Sequence, residues 1–178
     1  MPKKEIIAFA GSNSKQSINK KLVVLASEEL KKIKVNILDL NDFELPLYSI
    51  DEENENGYPE AAQRFNELLN NSDGIILSLA EHNGAYSVAF KNVFDWVSRI
   101  DKVVWKNKPM LLLSTSPGGR GGASVMEIAL GKFPRMGADI IANFSLPFFN
   151  DNYSEAGITD KQMNIEFLKG INDFEMAL

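Results

Sequence analysis

Short apolar runs alternate along the chain with longer amphipathic segments. The runs that predict strands are Ile6–Ala10, Val35–Leu40, Gly74–Leu79, Met110–Ser114 and, as a weaker fifth, Asp139–Leu146. The first, third and fourth runs are nearly continuous in apolar residues, which is typical of strands covered on both faces. We therefore expect a buried sheet with helices on either side.

Helical patterns separate these strands. The predicted helices are Lys20–Lys31, Pro59–Asn71, Val88–Ile100, Ser124–Met136 and a last one that begins with the capping box Thr159-x-x-Gln162. The segment Asn41–Gly57 is acidic and rich in Asn, and it predicts a surface loop. Strands that alternate with helices indicate an α/β protein with a doubly wound, five-stranded parallel sheet, in one domain over residues 1–178.

Ligands of doubly wound sheets bind beyond the carboxyl ends of the strands. Loop one (Gly11–Asn19), loop two (Ala80–Tyr86) and loop three (Ser116–Gly122) should therefore form one site. Loop one joins a strand to a helix through small hydroxyl residues, a layout that directs N–H groups and the positive end of the helix dipole at one spot. This predicts an anion site. The spacing is neither a P-loop nor Gly-x-Gly-x-x-Gly.

Composition excludes several classes of function. The 178 residues carry a net charge of -5, which argues against a non-specific nucleic-acid binder. No cysteine is present, and the single histidine, His82, rules out a multi-histidine metal site within one subunit. No apolar run approaches the ~20 residues of a membrane span, and no apolar signal segment precedes the first strand. We expect a cytoplasmic protein.

The three loops and the helix Val88–Ile100 together resemble the NADPH-dependent FMN reductase family, a flavodoxin-like branch of α/β folds. The resemblance covers essentially the whole chain. The matching positions are Gly11, Ser12, Ser17, Asn19, Glu81, Asn83, Gly84, Lys91, Asn92, Asp95, Trp96, Ser98, Arg99, Ser116, Pro117, Gly118, Gly119, Gly121 and Gly122. The positions that depart from the family pattern are Ser14 for Arg, Ala80 for Pro, His82 for Tyr and Ser87 for Pro.

The resemblance implies that loop one holds the phosphate of FMN, while loops two and three hold its ring and ribityl chain. The implied cofactor-binding residues are Ser12, Ser14, Lys15, Ser17, Ile18, Asn19, Ala80, Glu81, His82, Asn83, Gly84, Ser116, Pro117, Gly118 and Gly119. Hydride would pass from NADPH or NADH to flavin N5, and on to a quinone, flavin, azo compound or similar small acceptor. This chemistry needs no protein acid or base. We interpret His82 as a contact to the flavin edge.

Loss of the family arginine removes a bidentate phosphate partner, for which Lys15 substitutes only as a point charge. Flavin binding should therefore be weaker than usual. Two alternatives stay open: an electron carrier of the flavodoxin type that does not react with NAD(P)H, and a degenerate relative that no longer holds flavin tightly.

The helix Val88–Ile100 has apolar residues over an arc of roughly 160° at ~100° per residue. One core contact needs a stripe of only about 100°. The extra width of the apolar arc, together with the family resemblance, predicts a homodimer or tetramer built on this helix. A large core within one subunit remains the alternative.

Overall fold

Residues 4–178 are described by a computed structural model. The strands are β1 (Glu5–Gly11), β2 (Lys34–Leu38), β3 (Ile75–Leu79), β4 (Glu81–His82), β5 (Ala85–Tyr86), β6 (Lys108–Thr115), β7 (Ala138–Leu146), β8 (Tyr153–Ser154) and β9 (Gly157–Ile158). Five of them form a parallel sheet in the order β2-β1-β3-β6-β7. The predicted fold class is confirmed. The two small hairpins, β4-β5 and β8-β9, were not predicted.

Helices cover both faces of the sheet. They are α1 (Ile18–Glu29), α2 (Ile50–Asn56), α3 (Glu60–Asn71), α4 (Val88–Ile100), α5 (Ala123–Lys132), α6 (Phe149–Asn152) and α7 (Lys161–Ala177). In β1, Ile6 and Ala8 pack in the core beneath α1 and α7, whereas Ile7 and Phe9 pack with α3, α4 and α5. The near-continuous apolar strands therefore serve two cores, one on each face. Strand order reverses between β1 and β3, which marks the crevice for a ligand.

The prediction of a loop over Asn41–Gly57 is wrong in part. A 3-10 turn spans Leu40–Asp42, and α2 follows, with Ser49 as its N-cap. No residue of α2 is buried, so no apolar period announces this helix. Its sequence signals are the capping serine and the acidic first turn.

One further predicted helix changes type before its predicted end at Gly137, and another begins one residue later than predicted. The helix predicted over Ser124–Met136 is α5 followed by a 3-10 turn from Phe133, and it closes at Gly137 with φ 83°. The N-cap of α7 is Asp160, whose carboxylate accepts the N–H of Met163 at 2.8 Å. The predicted capping box at Thr159 is therefore wrong by one residue, because its hydroxyl donates instead to the carbonyl of Asp151.

None of the helices within residues 4–178 is both long enough and apolar enough to cross a membrane. Met1–Lys3, on which the prediction of no signal segment partly rests, lie outside the described residues.

Candidate active site

A cavity of about 210 Å³ lies at the carboxyl ends of β1, β3 and β6. Residues of all three loops line it: Ser12, Ser14, Gln16, Ser17, Ile18, Asn19, Ala80, Glu81, His82, Thr115, Ser116 and Pro117. The three loops therefore meet at one place, where the sheet order reverses. Cavities for ligands of drug size are usually about 300–1,000 Å³, so a ligand of flavin size would extend beyond this cavity over the exposed loop tips.

Hydroxyl groups organise loop one. The Oγ of Ser12 accepts the N–H of Ser14 at 3.2 Å, and the Oγ of Ser17 caps α1 by accepting the N–H of Lys20 at 3.1 Å. Each hydroxyl keeps its own proton to donate. The loop thus fixes its backbone and retains O–H donors for an anion.

The first turn of α1 adds backbone donors. In the part of the chain that the structure describes, the N–H groups of Ile18 and Asn19 have no hydrogen-bond partner. Such orphan donors at the positive end of a helix dipole favour an anion. Lys15 is exposed in the same loop and forms no ion pair with any described residue. The neighbouring Lys20 instead bonds Asp39 at 2.5 Å, and this bond lowers the pKa of that carboxyl below its usual range.

The Asn19 side chain is buried and ties α1 to two of the three site strands. Its Oδ1 accepts from the Ser78 hydroxyl at 2.7 Å and from the Thr115 N–H at 3.1 Å, and its Nδ2 donates to the Thr115 carbonyl at 3.2 Å. These bonds connect α1 to the ends of β3 and β6. Asn19 therefore faces the cavity with its backbone N–H available, while its side chain sets the spacing of the loops.

Glu81 links loop two to loop three. Its Oε2 accepts the N–H of Val125 at 3.1 Å, in the first turn of α5. The residue at the N-cap of α5 is Gly122, with φ 82° and no side chain to cap the helix. Glu81 supplies the missing cap from a different loop and interacts favourably with the helix dipole.

The remainder of loop two is the β4-β5 hairpin. Asn83 and Gly84 have φ of 53° and 77°, the left-handed backbone that a two-residue type I′ turn requires. Both lie at the tip, outside the cavity lining, whereas His82 is exposed and lines it. Tyr86 anchors the hairpin by stacking on Phe133 with ring centroids 6.0 Å apart, and burial raises the pKa of Tyr86 to about 12.

The glycines of loop three serve two different purposes. A Cβ on Gly119 would lie 2.7 Å from the Phe148 ring, and one on Gly121 would lie 2.9 Å from the Leu146 backbone. These glycines are needed for close packing on the chain that follows β7. Gly118 differs, because a Cβ there would meet nothing nearer than the Ser116 hydroxyl at 4.0 Å. Its missing side chain leaves open space at the cavity mouth.

Ten of the predicted binding residues line the cavity, and five do not. The five are Lys15, Asn83, Gly84, Gly118 and Gly119. Sequence reasoning missed Gln16 and Thr115, which also line it. Position was the available signal, because Gln16 lies within loop one and Thr115 directly precedes Ser116.

The residues of α4 that match the family pattern have structural roles. Asn92 accepts the N–H of Tyr48 at 2.9 Å and donates to the Pro46 carbonyl at 3.0 Å, and Trp96 donates to the same carbonyl at 2.9 Å. Lys91 and Asp95 pair with each other at 2.7 Å. Asn92 and Trp96 thus fasten the segment before α2 to the core, away from the cavity.

The apolar arc of α4 is used within one subunit. Its buried residues are Phe90, Val93, Phe94, Trp96 and Val97. Trp96 lies under Tyr48, with ring centroids 5.1 Å apart. The width of the arc therefore reflects a large intramolecular core and does not by itself require a second subunit.

Comparisons with known proteins show relatives of this chain. The chain is 35% identical over 119 residues to a quinone reductase of Pseudomonas putida, a match that covers 66% of this chain and 62% of that protein. It is 29% identical over 125 residues to the quinone reductase of Escherichia coli (strain K12), covering 68% and 64%. The chain thus spans slightly less than two thirds of the length of these relatives.

Among solved structures, the flavoenzyme NAD(P)H:(acceptor) oxidoreductase FerB from Paracoccus denitrificans superposes with a TM-score of 0.77 at 24% identity. The superposition covers 98% of this chain and 96% of FerB, and it shows the shared fold. Residues 5–152 match the sequence profile described as NADPH-dependent FMN reductase. Since that match includes all three loops and most of the chain, the protein belongs to the NADPH-dependent FMN reductase family.

Proposed function

We propose that the protein is an FMN-dependent oxidoreductase that passes a hydride from NADPH or NADH through bound FMN to a quinone, flavin, azo compound or similar small acceptor. The observation that carries this proposal is the meeting of three loops at one cavity, with orphan N–H donors on one side and open space at Gly118 on the other. The named quinone reductases among the relatives support a reductase over an electron carrier.

The described residues fit FMN. The hydroxyls of Ser12, Ser14 and Ser17 and the N–H groups of Ile18 and Asn19 offer donors for a phosphate, and Lys15 offers a nearby positive charge. No cluster of three or more His, Asp or Glu residues that could hold a metal occurs within residues 4–178. When bound, FMN would supply the hydride chemistry.

The protein itself would bind and orient the flavin and enclose part of it. Ala80, His82, Ser116 and Pro117 line the part of the cavity away from loop one, and we assign the ring and ribityl chain to them. Glu81 and Asn19 hold the loops at a fixed spacing through bonds to α5 and β6. The tips at Asn83–Gly84 and Gly118–Gly119 would lie beside the part of the ring that extends beyond the cavity. His82 contacts the ring edge and transfers no proton.

Anaerobic mixing of the FMN-loaded protein with NADPH tests this function. We expect the visible flavin absorption to bleach in a single turnover and to return when a quinone is added. A flavin that binds but stays oxidised with both NADPH and NADH would indicate the electron carrier instead. Failure to bind FMN would indicate a degenerate relative.

Gly118→Val tests the position of the ring. A Cβ at Gly118 meets no protein atom nearer than 4.0 Å, and the rest of a valine side chain would enter the space assigned to the ring, so the fold should survive while FMN is lost. Gly131→Ala is the matched control, because a Cβ at that helical glycine also meets nothing within 4 Å. Full flavin content and full NADPH oxidation in Gly118→Val would contradict the placement.

The predicted homodimer or tetramer is also part of this proposal. Its support is now an exposed apolar surface beside α4, formed by Leu47, Ile50 and Val88, together with family membership. A cytoplasmic location remains a prediction of the sequence.

A further inference from the structure

Phe148 has a backbone conformation that bulky residues avoid. Its φ is 46° and its ψ is 56°, in the left-handed region. Four non-glycine residues in the described chain have positive φ, and they are Asn83, Lys106, Asn107 and Phe148. Phe148 is the one apolar residue among these. Strained conformations of this kind persist where the surrounding structure enforces them, often at functional sites.

Backbone hydrogen bonds to loop three enforce this conformation. The Phe148 N–H donates to the Gly118 carbonyl at 3.0 Å, and the Phe149 N–H donates to the Ser116 carbonyl at 3.1 Å. The Thr115 hydroxyl donates to the carbonyl of Leu146 at 2.7 Å. The chain after β7 is thus docked on the loop that closes one side of the cavity.

The Phe148 ring does not serve the core. Half of the residue is exposed, whereas the adjacent Phe149 is 3% exposed. The ring lies where a side chain on Gly119 would be, since a Cβ there would come within 2.7 Å of its Cζ. The half-exposed ring therefore lies against Gly119, two residues beyond Pro117, which lines the cavity. Strain and exposure are both unfavourable, and the backbone bonds to loop three hold the residue in this conformation against them.

We propose that Phe148 is the aromatic contact for the planar ring of the electron acceptor, and hence a specificity residue for quinone-type acceptors. This inference rests on the proposed function. Aromatic side chains attract planar rings in offset-stacked or edge-to-face arrangements. A half-exposed phenyl ring beside a side-chain-free loop offers such a surface to a quinone, and it offers little to a compact inorganic anion.

The test compares two acceptors in FMN-loaded protein. Phe148→Asn removes the ring but suits the left-handed backbone, and Phe148→Tyr keeps an aromatic face. We expect Phe148→Asn to lower kcat/KM for 1,4-benzoquinone by roughly two- to tenfold, the range of an aromatic pair. Turnover with ferricyanide and flavin reduction by NADPH should stay unchanged, and Phe148→Tyr should behave as wild type.

A binding measurement gives a second readout. Hydroquinone does not reduce oxidised FMN, so its binding to the oxidised protein can be titrated by calorimetry in wild type and in the variant. The dissociation constant should rise in Phe148→Asn by the same factor as kcat/KM falls. Thermal unfolding should show no loss of stability in Phe148→Asn or Phe148→Gly, because both relieve the backbone strain.

Three results would overturn the inference. They are an unchanged kcat/KM for benzoquinone in Phe148→Asn, an equal loss with ferricyanide, and loss of FMN from that variant. If wild type binds FMN but does not react with NADPH, the proposed function fails separately. In that case, wild type and Phe148→Asn can still be compared by reducing each with dithionite and mixing it with benzoquinone.

Discussion

Ser17 combines a structural bond with an orientation toward the cavity. Its Oγ accepts the N–H of Lys20 and so caps α1, and the residue is 7% exposed. The hydroxyl proton remains available to an anion at the first turn of the helix. A change at Ser17 should therefore affect both the fold and the affinity for FMN, and the two effects can be separated.

We predict that Ser17→Ala weakens FMN binding roughly ten- to a hundredfold, because a hydrogen bond to a charged group contributes about 1.5–3 kcal/mol. Loss of the cap should also lower the free energy of unfolding of the FMN-free protein by about 1 kcal/mol. FMN titration and urea unfolding measure these two quantities.

Ser49→Ala is the control for Ser17→Ala. Ser49 caps α2, where its Oγ accepts the N–H of Glu52 at 3.0 Å, and it is not among the residues that line the cavity. This variant should lose stability and keep its FMN affinity. Unchanged FMN affinity in Ser17→Ala, or FAD bound as tightly as FMN, would contradict the position assigned to the phosphate.

For single residues, the sequence predicts which residues belong to the site better than it predicts which partners they contact. The capped start of α1 was predictable because Ser17, the helix and the orphan donors are contiguous in sequence. The side-chain bonds of Asn19 and Glu81 were not, because their partners lie 96 and 44 residues away. Both residues match the family pattern, and their side chains hold loops together.

Among the elements, α4 anchors both α2 and the segment before it. Asn92 and Trp96 bond the backbone at Pro46 and Tyr48, and Arg99 bonds the Glu53 carboxylate at 2.8 Å. The Arg99 bond lowers the pKa of Glu53 below its usual range. These contacts hold in place a segment that has few buried apolar side chains of its own.

We predict that Asn92→Leu destabilises this segment. The Tyr48 N–H would lose its partner, at a cost of about 1–3 kcal/mol if it stays buried, and the Pro46 carbonyl would keep only its bond from Trp96. Amide hydrogen exchange should increase in residues 45–57, and proteolysis should begin there, while β1, β3 and β6 remain protected.

Lys91→Met is the matched control on the same helix. It removes only the ion pair with Asp95, in which the lysine side chain is 49% exposed, so exchange should change little. If Asn92→Leu leaves exchange in residues 45–57 as in wild type, the anchor is not Asn92.

Helices and strands with a buried apolar face are the ones that the sequence predicts well. The bounds of α4 agree with the predicted Val88–Ile100 because five of its residues are buried and give a clear helical period. The helix α2 has no buried residue, and the β4-β5 hairpin depends on a turn of two residues inside a stretch interpreted as a loop. Elements without an apolar face leave only capping and turn residues as signals.

At the scale of the whole molecule, an exposed apolar surface lies beside α4. Leu47, Ile50 and Val88 are 74%, 52% and 72% exposed. A shallow pocket of about 160 Å³ is lined by Leu47 and Val88, and also by Tyr48 and Tyr86. Apolar side chains grouped in this way are typical of a surface that contacts another protein, and we assign it to a second copy of the chain.

We predict that wild type has twice the monomer mass in light scattering at micromolar concentration, and that Val88→Glu has the monomer mass. Val88 is the first residue of α4, where a carboxylate interacts favourably with the helix dipole, so the fold should be retained. In a dimer the same carboxylate would lose its hydration, at a cost on the order of several kcal/mol. Ile128→Glu, at a 42% exposed position on α5, should leave the dimer intact. A monomeric wild type, or a Val88→Glu variant with the wild-type mass, would reject this interface.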